Sequence, residues 1–299
     1  MTYETFKKVI MERLSYDIAD PKQISLQTHY KNNGCSLDGL VILENGNNIA
    51  PTLYLNRYYD LYRDGNSFQK VYEKLLEYYE ANKSDVGIDV SFYTDFGNIQ
   101  SKIAMKLIHY EKNRDFLKQV PHIRFLDLAL IFYCFMPIDP SAGNATIPIY
   151  NSHLDLWDIS LDTLFQLARE NSPRILPPEL NDLNSLLEDY MPAQVYSSIV
   201  HTDDPLYPMF VLTNSEGLFG ASCMLYDQLI HSYAERFQSD FYILPSSIHE
   251  VILVPAFKNE LMDLFSEMVR EVNQSQVAAE EILSDHAYYY SREKDTILI

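Results

Sequence analysis

The chain has 299 residues, 47% of them hydrophobic and 22% charged, which is enough apolar material for one large domain or two modest ones. Its 42 acidic and 23 basic residues give a net charge of −19, which disfavours direct binding to nucleic acids and anionic membranes. Three widely separated cysteines, no signal-peptide core at the N-terminus and no apolar run of membrane-spanning length predict a cytoplasmic protein with reduced thiols.

The first part of the chain predicts a small α-β-β-β-α-α unit. Thr2 is a candidate N-cap for the first helix, whose apolar residues recur at helical spacing. Lys31-Asn-Asn-Gly34 has the composition of a hairpin turn between two strands. The strands are expected at 24–30, 37–43 and 52–55, and two further helices at 57–62 and 67–81. We place a domain boundary here, with residues 1–83 in one unit and 84–299 in a second α+β domain, and packing of both into one globule as the alternative.

The remaining elements alternate between strands and amphipathic helices. The near-continuous apolar run 125–135 predicts a strand covered on both faces, with 146–150 as its antiparallel neighbour. Asn171-Ser-Pro173 is expected to end a helix that Ser160 caps. Further helices are expected at 96–110, 179–190, 221–237 and 257–272, and further strands at 210–212, 241–244, 251–254, 287–290 and 296–299. Antiparallel hairpins with interspersed amphipathic helices indicate the α+β class.

Five separated segments resemble an uncharacterised bacterial family, the domain of unknown function 5688, over most of the chain. They are 33–39 (NGCSLDG), 49–55 (IAPTLYL), 157–161 (WDISL), 168–171 (AREN) and 244–250 (LPSSIHE). A weaker likeness, from about residue 147 onward, is to the YtpQ-like family of cytosolic bacterial proteins. It rests on a Trp before a helix that ends in Ala-x-x-Asn, and on a strand that leads to an Asn-x-x-Gly turn, a helix and a Pro-containing hairpin. Neither resemblance implies an established activity, cofactor or catalytic residue.

One group of residues could carry metal or general acid/base chemistry. His231 and Glu235 are four residues apart on a predicted helix, so they share a face, and His249 lies in the hairpin that follows. If the hairpin folds back on the helix, the three form a divalent-metal site. The alternative is a solvated pair and a turn histidine, since zinc signatures have tighter spacing. Ser246 and Ser247 next to His249 suggest a serine hydrolase, but the nucleophile-elbow motif is missing and turn formation is the simpler interpretation.

Two other groups are candidates for binding. His201, Asp203 and Asp204 lie in a predicted loop, where they could bind a cation or only solvate a connector. Tyr58 and Tyr59 are candidates because the chain is rich in tyrosine, with 23 in total. Tyrosine suits interfaces because its side chain combines an apolar ring with a polar hydroxyl. Amphipathic packing at sheet edges is the alternative.

Two isolated features have structural interpretations. Asp127 falls in the buried strand, so its carboxylate must be paired, and a salt bridge with Arg124 or Arg169 is expected. The segment Gly217-Leu-Phe-Gly220 is similar to a phosphate-binding turn but lacks the Walker lysine, which favours a simple turn into a helix.

These observations lead to three hypotheses of function. The first is a non-enzymatic cytosolic protein-binding or regulatory module, whose acidic, Tyr-rich surface meets a basic or aromatic-accepting partner. The second is an enzyme with a metal or an acid/base site near His231, Glu235 and His249. The third is an acidic mimic of nucleic acid, which requires carboxylates spaced along one face. No cofactor and no membrane association are expected, and self-association into a homo-oligomer stays open.

Overall fold

The computed structural model describes residues 1–18, 23–43, 50–83, 91–139, 143–190, 208–256 and 261–299. The chain forms two compact units, one of residues 1–93 with 137–144 and the other of residues 94–136 with 145–299. Both contain antiparallel sheets and helices, which confirms the α+β class. Within the described ranges, no helix is long and apolar enough to cross a membrane.

The first unit has the predicted α-β-β-β-α-α order. Its elements are α1 (Tyr3–Asp17), β1 (Ile24–Tyr30), β2 (Ser36–Ile42), β3 (Thr52–Tyr54), α2 (Leu55–Arg63) and α3 (Phe68–Asn82), followed by the short helix α4 (Ser91–Thr94). The strands form an antiparallel sheet in the order β1-β2-β3. The hydroxyl of Thr2 accepts a hydrogen bond from the backbone N–H of Thr5 at 3.3 Å, so Thr2 caps α1 as predicted.

The core of this unit is built from residues at helical spacing. Phe6, Ile10 and Leu14 are fully buried on one face of α1, because four residues make about one helical turn. Tyr58 and Tyr59 of α2 are partly buried against the same core, and the hydroxyl of Tyr59 donates to the carbonyl of Met1 at 3.0 Å. These two tyrosines therefore contribute to packing inside the first unit.

A four-stranded sheet is built around one long strand and belongs to the second unit, apart from the strand ends at 137–139 and 143–144. Its strands are β4 (Ile103–His109), β5 (His122–Phe125), β6 (Leu128–Asp139) and β7 (Gly143–Pro148). The strand β6 pairs with β4, β5 and β7, and every residue from Leu128 to Phe135 is buried. The predicted strand over 125–135 and its predicted neighbour at 146–150 are thus confirmed in part, since β6 begins only at Leu128 and β7 ends at Pro148. Leu126 has a φ of 55° and turns the chain from β5 into β6.

The predicted helix over 96–110 is wrong in its second half. The helix α5 (Phe96–Ile99) and a 3₁₀ turn (Gln100–Lys102) lead into β4, which pairs with β6 in a register that places Met105 opposite Phe132. Ile103, Ala104, Met105, Leu107 and Ile108 are all buried. A strand buried on both faces places apolar residues at almost every position, so a helical spacing arises by coincidence.

The second unit also contains a six-stranded antiparallel sheet, with the strand order β13-β12-β10-β11-β9-β8. Its strands are β8 (Pro178–Asp182), β9 (Phe210–Asn214), β10 (Phe241–Pro245), β11 (Val251–Pro255), β12 (Tyr288–Ser291) and β13 (Thr296–Leu298). The predicted hairpin of 241–244 with 251–254 and the two terminal strands are confirmed. The predicted helix over 179–190 is wrong in its first turn, because residues up to Asp182 pair with β9.

The second unit contains further helices, some packed against the six-stranded sheet and others against the four-stranded sheet. They are α6 (Arg114–Leu117), α7 (Asn151–Trp157), α8 (Leu161–Ile175), α9 (Leu183–Tyr190), α10 (Leu229–Phe237) and α11 (Met262–Ser275). Phe265 and Val269 of α11 contact the face of the sheet that carries Tyr242. Phe237 of α10 contacts Phe241. Phe241 directly precedes Tyr242 in β10, so its side chain points to the other face of the sheet.

Three more predicted helices differ from the structure. The helix predicted at 257–272 begins at Met262 and ends at Ser275. The helix α8 continues through Pro173 to Ile175, since Ser172 is anchored on both sides: its hydroxyl donates to the Ala168 carbonyl and accepts from the N–H of Met105. The predicted helix over 221–237 is two elements, a 3₁₀ helix (Gly220–Leu225) and α10. They are separated at Gln228, which has a left-handed φ of 57°.

Candidate functional site

A cavity of about 240 Å³ lies in the second unit, between the N-terminal end of α10 and the hairpin of β12 and β13. Its polar lining consists of Tyr226, Asp227, Gln228, His231, Tyr290, Asp295 and Thr296. Its apolar lining includes Met224, Leu225, Leu229, Ile230 and Ile297. Polar groups converging in a concave, partly apolar site are the usual signature of a binding site.

Irregular backbone brings these side chains together. Gln228 has a φ of 57° and Asp295 has a φ of 45°, so two non-glycine residues adopt the left-handed conformation at the cavity. Each such residue costs about 1–2 kcal/mol, a strain that persists only where the surroundings enforce it. The loop before α10 is held by Tyr226, which is buried and whose hydroxyl donates to the carbonyl of Leu176 at 3.2 Å.

The polar residues form a chain of hydrogen bonds that ends at Asp295. The hydroxyl of Tyr290 donates to Oδ1 of Asp295 at 2.6 Å, and Nε2 of Gln228 donates to Oδ2 at 3.2 Å. Nδ1 of His231 lies 3.1 Å from the same hydroxyl. Since the only hydroxyl proton of Tyr290 points to Asp295, its oxygen accepts from Nδ1–H of His231. Nε2 of His231 takes no part in that contact.

The electrostatics of this chain favour a charged carboxylate. The hydrogen bond from Tyr290 is the main cause that lowers the pKa of Asp295, with contributions from Gln228 and His231. Burial, followed by the hydrogen bond to Asp295, raises the pKa of Tyr290. The phenol therefore stays protonated and keeps donating to an ionised Asp295.

A second carboxylate lines the cavity at Asp227. Its two oxygens both lie 2.7 Å from Nε of Arg169, and the side chains are 57% and 43% exposed. This exposure leaves Asp227 accessible to a further hydrogen-bond donor, because a carboxylate accepts about four hydrogen bonds.

The three residues of the metal or acid/base hypothesis have different partners. His231 lines the cavity, whereas Glu235 faces Arg292, with Oε1 and Nε 3.7 Å apart. His249 accepts a hydrogen bond from the N–H of Phe219 at 3.2 Å and stacks on its ring at 5.6 Å. Burial is the main cause that lowers the pKa of His249. In the part of the chain that the structure describes, no group of three or more His, Cys, Asp or Glu residues is arranged to hold a metal ion.

The remaining candidates contribute to turns or lie elsewhere. The hydroxyl of Ser246 donates to Glu250 at 3.0 Å, and that of Ser247 accepts from the N–H of His249 at 3.0 Å, so both stabilise the hairpin turn. Three further candidates, His201, Asp203 and Asp204, lie outside the described residues.

Asp127 belongs to a partly buried polar cluster that the sequence interpretation missed. It lies in the turn before β6, and its carboxylate accepts from the hydroxyls of Tyr288 at 2.8 Å and Ser284 at 2.9 Å. Nε2 of His286 lies 3.6 Å from it. The predicted salt bridge to an arginine is wrong, because both arginines have other acceptors. Ser284, His286 and Tyr288 alternate along the chain, and this strand-like spacing could have indicated a shared face.

Comparisons with known proteins identify a family but no function. The family model described as "Family of unknown function (DUF5688)" matches residues 3–292, nearly the whole chain. No curated protein and no solved structure matches. The weaker likeness to the YtpQ-like family finds no support in these comparisons.

Proposed function

Because the chain belongs to the family of unknown function DUF5688, we infer its function from its geometry. We propose that it is a binding protein whose cavity binds a cationic group of a partner. The single observation behind this proposal is that Asp227 and Asp295 line one cavity beside an apolar wall. A lysine or arginine side chain, or a small alkylamine, presents the matching combination of a charged head and an apolar stem.

The composition of the lining supports a cation over an anion. Its described residues include two carboxylates and no lysine or arginine, and Arg169 reaches Asp227 from outside that lining. Asp295 already receives two neutral donors, which hold the carboxylate in place without cancelling its charge. A carboxylate held in this way needs no reorganisation to receive a charged donor, which favours affinity.

The size of the cavity supports a small group. At about 240 Å³ it lies below the roughly 300–1,000 Å³ of cavities that enclose drug-sized ligands. A side chain fits this space better than a nucleotide does. The proposal thereby links the acidic chain to a basic protein partner, the leading hypothesis from composition.

Isothermal titration calorimetry at low ionic strength tests the proposal, since salt screens such contacts. The ligands are n-butylguanidinium and n-butylammonium, with pentanamide as the neutral control. We expect the cations to bind and Asp295→Asn to weaken them at least tenfold. Asp115→Asn removes one equally negative but 95% exposed carboxylate and should leave binding unchanged. Equal binding of pentanamide, or unchanged binding to Asp295→Asn, would refute the proposal.

General acid/base catalysis is the second candidate. His231 is backed by Tyr290 and Asp295, which fix its Nδ1 as the donor and leave Nε2 as the acceptor. Of the residues in the enzyme hypothesis, the geometry favours His231, which would act as the proton acceptor. Turnover of a small cationic ester or amide that His231→Gln abolishes, while cation binding persists, would favour this candidate over simple binding.

A further inference from the structure

The helix α11 exposes a row of apolar side chains. Leu264, Met268 and Val272 are four residues apart, and they are 53%, 39% and 41% exposed. Four-residue spacing aligns them along one side of the helix over about 12 Å. The outer side of a surface helix is ordinarily polar, so a continuous apolar row there is typical of an interaction site.

This row is separate from the face by which α11 joins its own unit. The buried positions of the helix are Phe265, Ser266, Val269 and Asn273. Phe265 and Val269 pack against Tyr242 and its neighbours in the sheet. Phe265, Val269 and Asn273 each directly follow one of the three exposed apolar residues. The exposed row therefore borders the packed face and extends the apolar surface of α11 toward solvent.

A parallel row of carboxylates lies along the other border. Asp263, Glu267 and Glu271 are exposed, are spaced like the apolar residues and precede each of them by one position. On a helical projection they lie between the apolar row and Arg270, the one basic residue of this helix. The apolar row thus has an acidic rim on its solvent side, and a partner seated on it meets negative charge.

We propose that this α11 face, formed by the apolar and acidic rows, docks an amphipathic helix of a partner protein whose apolar stripe is flanked by lysine or arginine. The apolar rows bury each other, and the basic flank pairs with the acidic rim, the same combination by which amphipathic helices are bound through their apolar face. Antiparallel pairing of two copies is disfavoured because it would place acidic rim against acidic rim, and the charge of −19 opposes self-association further.

The α11 face is independent of the cavity. It is supported by the side of the sheet that carries Tyr242 and its pairing partner Tyr289. Tyr290, which lines the cavity, is the next residue along β12 and points to the opposite side. Failure of either proposal therefore leaves the other standing.

Fluorescence anisotropy with the full chain and two labelled synthetic peptides tests this proposal. Both peptides are 18-residue helices with a leucine stripe, flanked in one by lysine and in the other by glutamate. We expect the lysine peptide to bind and the glutamate peptide not to bind. The double variant E267K/E271K should weaken the lysine peptide at least tenfold and gain binding of the glutamate peptide.

Two further variants separate the α11 face from general charge attraction. E73K/E77K makes the same change of net charge on exposed positions of α3 and should alter binding less than twofold. Leu264→Ser with Met268→Ser removes the apolar row at exposed positions and should weaken the lysine peptide at least tenfold. Equal losses in both charge-reversal variants, undiminished binding to the serine variant, or no binding to the wild type would each overturn the proposal.

Discussion

Replacing Gly220 with alanine tests whether close backbone contact positions the segment that leads to the cavity. Gly220 begins the 3₁₀ helix that precedes α10. A Cβ atom there would lie 2.6 Å from the carbonyl oxygen of His249 and 2.8 Å from the backbone nitrogen of Asn214, and it would also collide with Oγ1 of Thr213. Two of these three atoms belong to the backbone, so no change of rotamer can remove the collision.

The expected loss of stability follows from these contacts. Overpacking of a filled site costs about 1–3 kcal/mol. Moving Thr213 also breaks the 2.9 Å hydrogen bond from its hydroxyl to the carbonyl of His249, which is worth about 1 kcal/mol. We therefore expect Gly220→Ala to lower the free energy of unfolding by about 3 kcal/mol, a large part of a typical stability of 5–15 kcal/mol.

Urea denaturation followed by tryptophan fluorescence measures this effect in the second unit, because Trp157 is the only tryptophan of the chain. The midpoint should fall by about 1–2 M at an unchanged slope of about 2 kcal/mol per molar. Gly97→Ala is the matched control, since its Cβ would meet only the side chain of Asp95, at 3.1 Å from Oδ1, and a change within about 0.5 kcal/mol is expected. A Gly220→Ala midpoint as high as that of the control would show that the loop yields to the added methyl group.

Two further predictions concern buried polar groups of the second unit. Tyr288→Phe removes a hydrogen bond to the Asp127 carboxylate, so the free energy of unfolding should fall by about 1.5–3 kcal/mol in the same assay, and an unchanged value would exclude Asp127 as a stabilising acceptor. His249→Asn should flatten the dependence of stability on pH. Burial lowers the pKa of His249 in the folded state, whereas the imidazole in the unfolded chain takes up its proton near pH 6.5. The free energy of unfolding of the wild type should therefore fall as the pH drops below about 6.5, by up to 1.4 kcal/mol per pH unit. Equal slopes of unfolding free energy against pH in the two proteins would contradict this.

Local patterns were sufficient for the parts of the fold in which one face of each element is buried. The first helix was recognisable because Phe6, Ile10 and Leu14 repeat with the period of a helix and Thr2 provides a cap. The hairpin of β10 and β11 was recognisable because two short apolar runs flank a turn rich in serine and proline. In both cases local preference and tertiary packing favour the same conformation.

Local patterns failed where tertiary pairing decides the conformation. The segment that forms β4 has apolar residues on both faces, so its sequence fits a buried strand and an amphipathic helix equally well. Only its pairing with β6 selects the strand. The mostly polar residues from Glu179 to Asp182 likewise become a strand because they pair with β9 at the edge of the sheet. This pairing leaves no periodic apolar signal in the sequence.

Local sequence patterns also failed to predict which side chains meet in the cavity. His231 was a candidate from its helical spacing to Glu235, yet its hydrogen-bond partner is Tyr290, 59 residues later, and no local pattern joins the two. Gln228 and Asp295 also lie far apart in the chain, and each has a left-handed φ that its residue type adopts at a cost. Their side chains hydrogen-bond to each other across the cavity. The strain of both backbones is thus offset at the point where the Asp295 carboxylate is fixed, which agrees with the role in binding that we propose for this cavity.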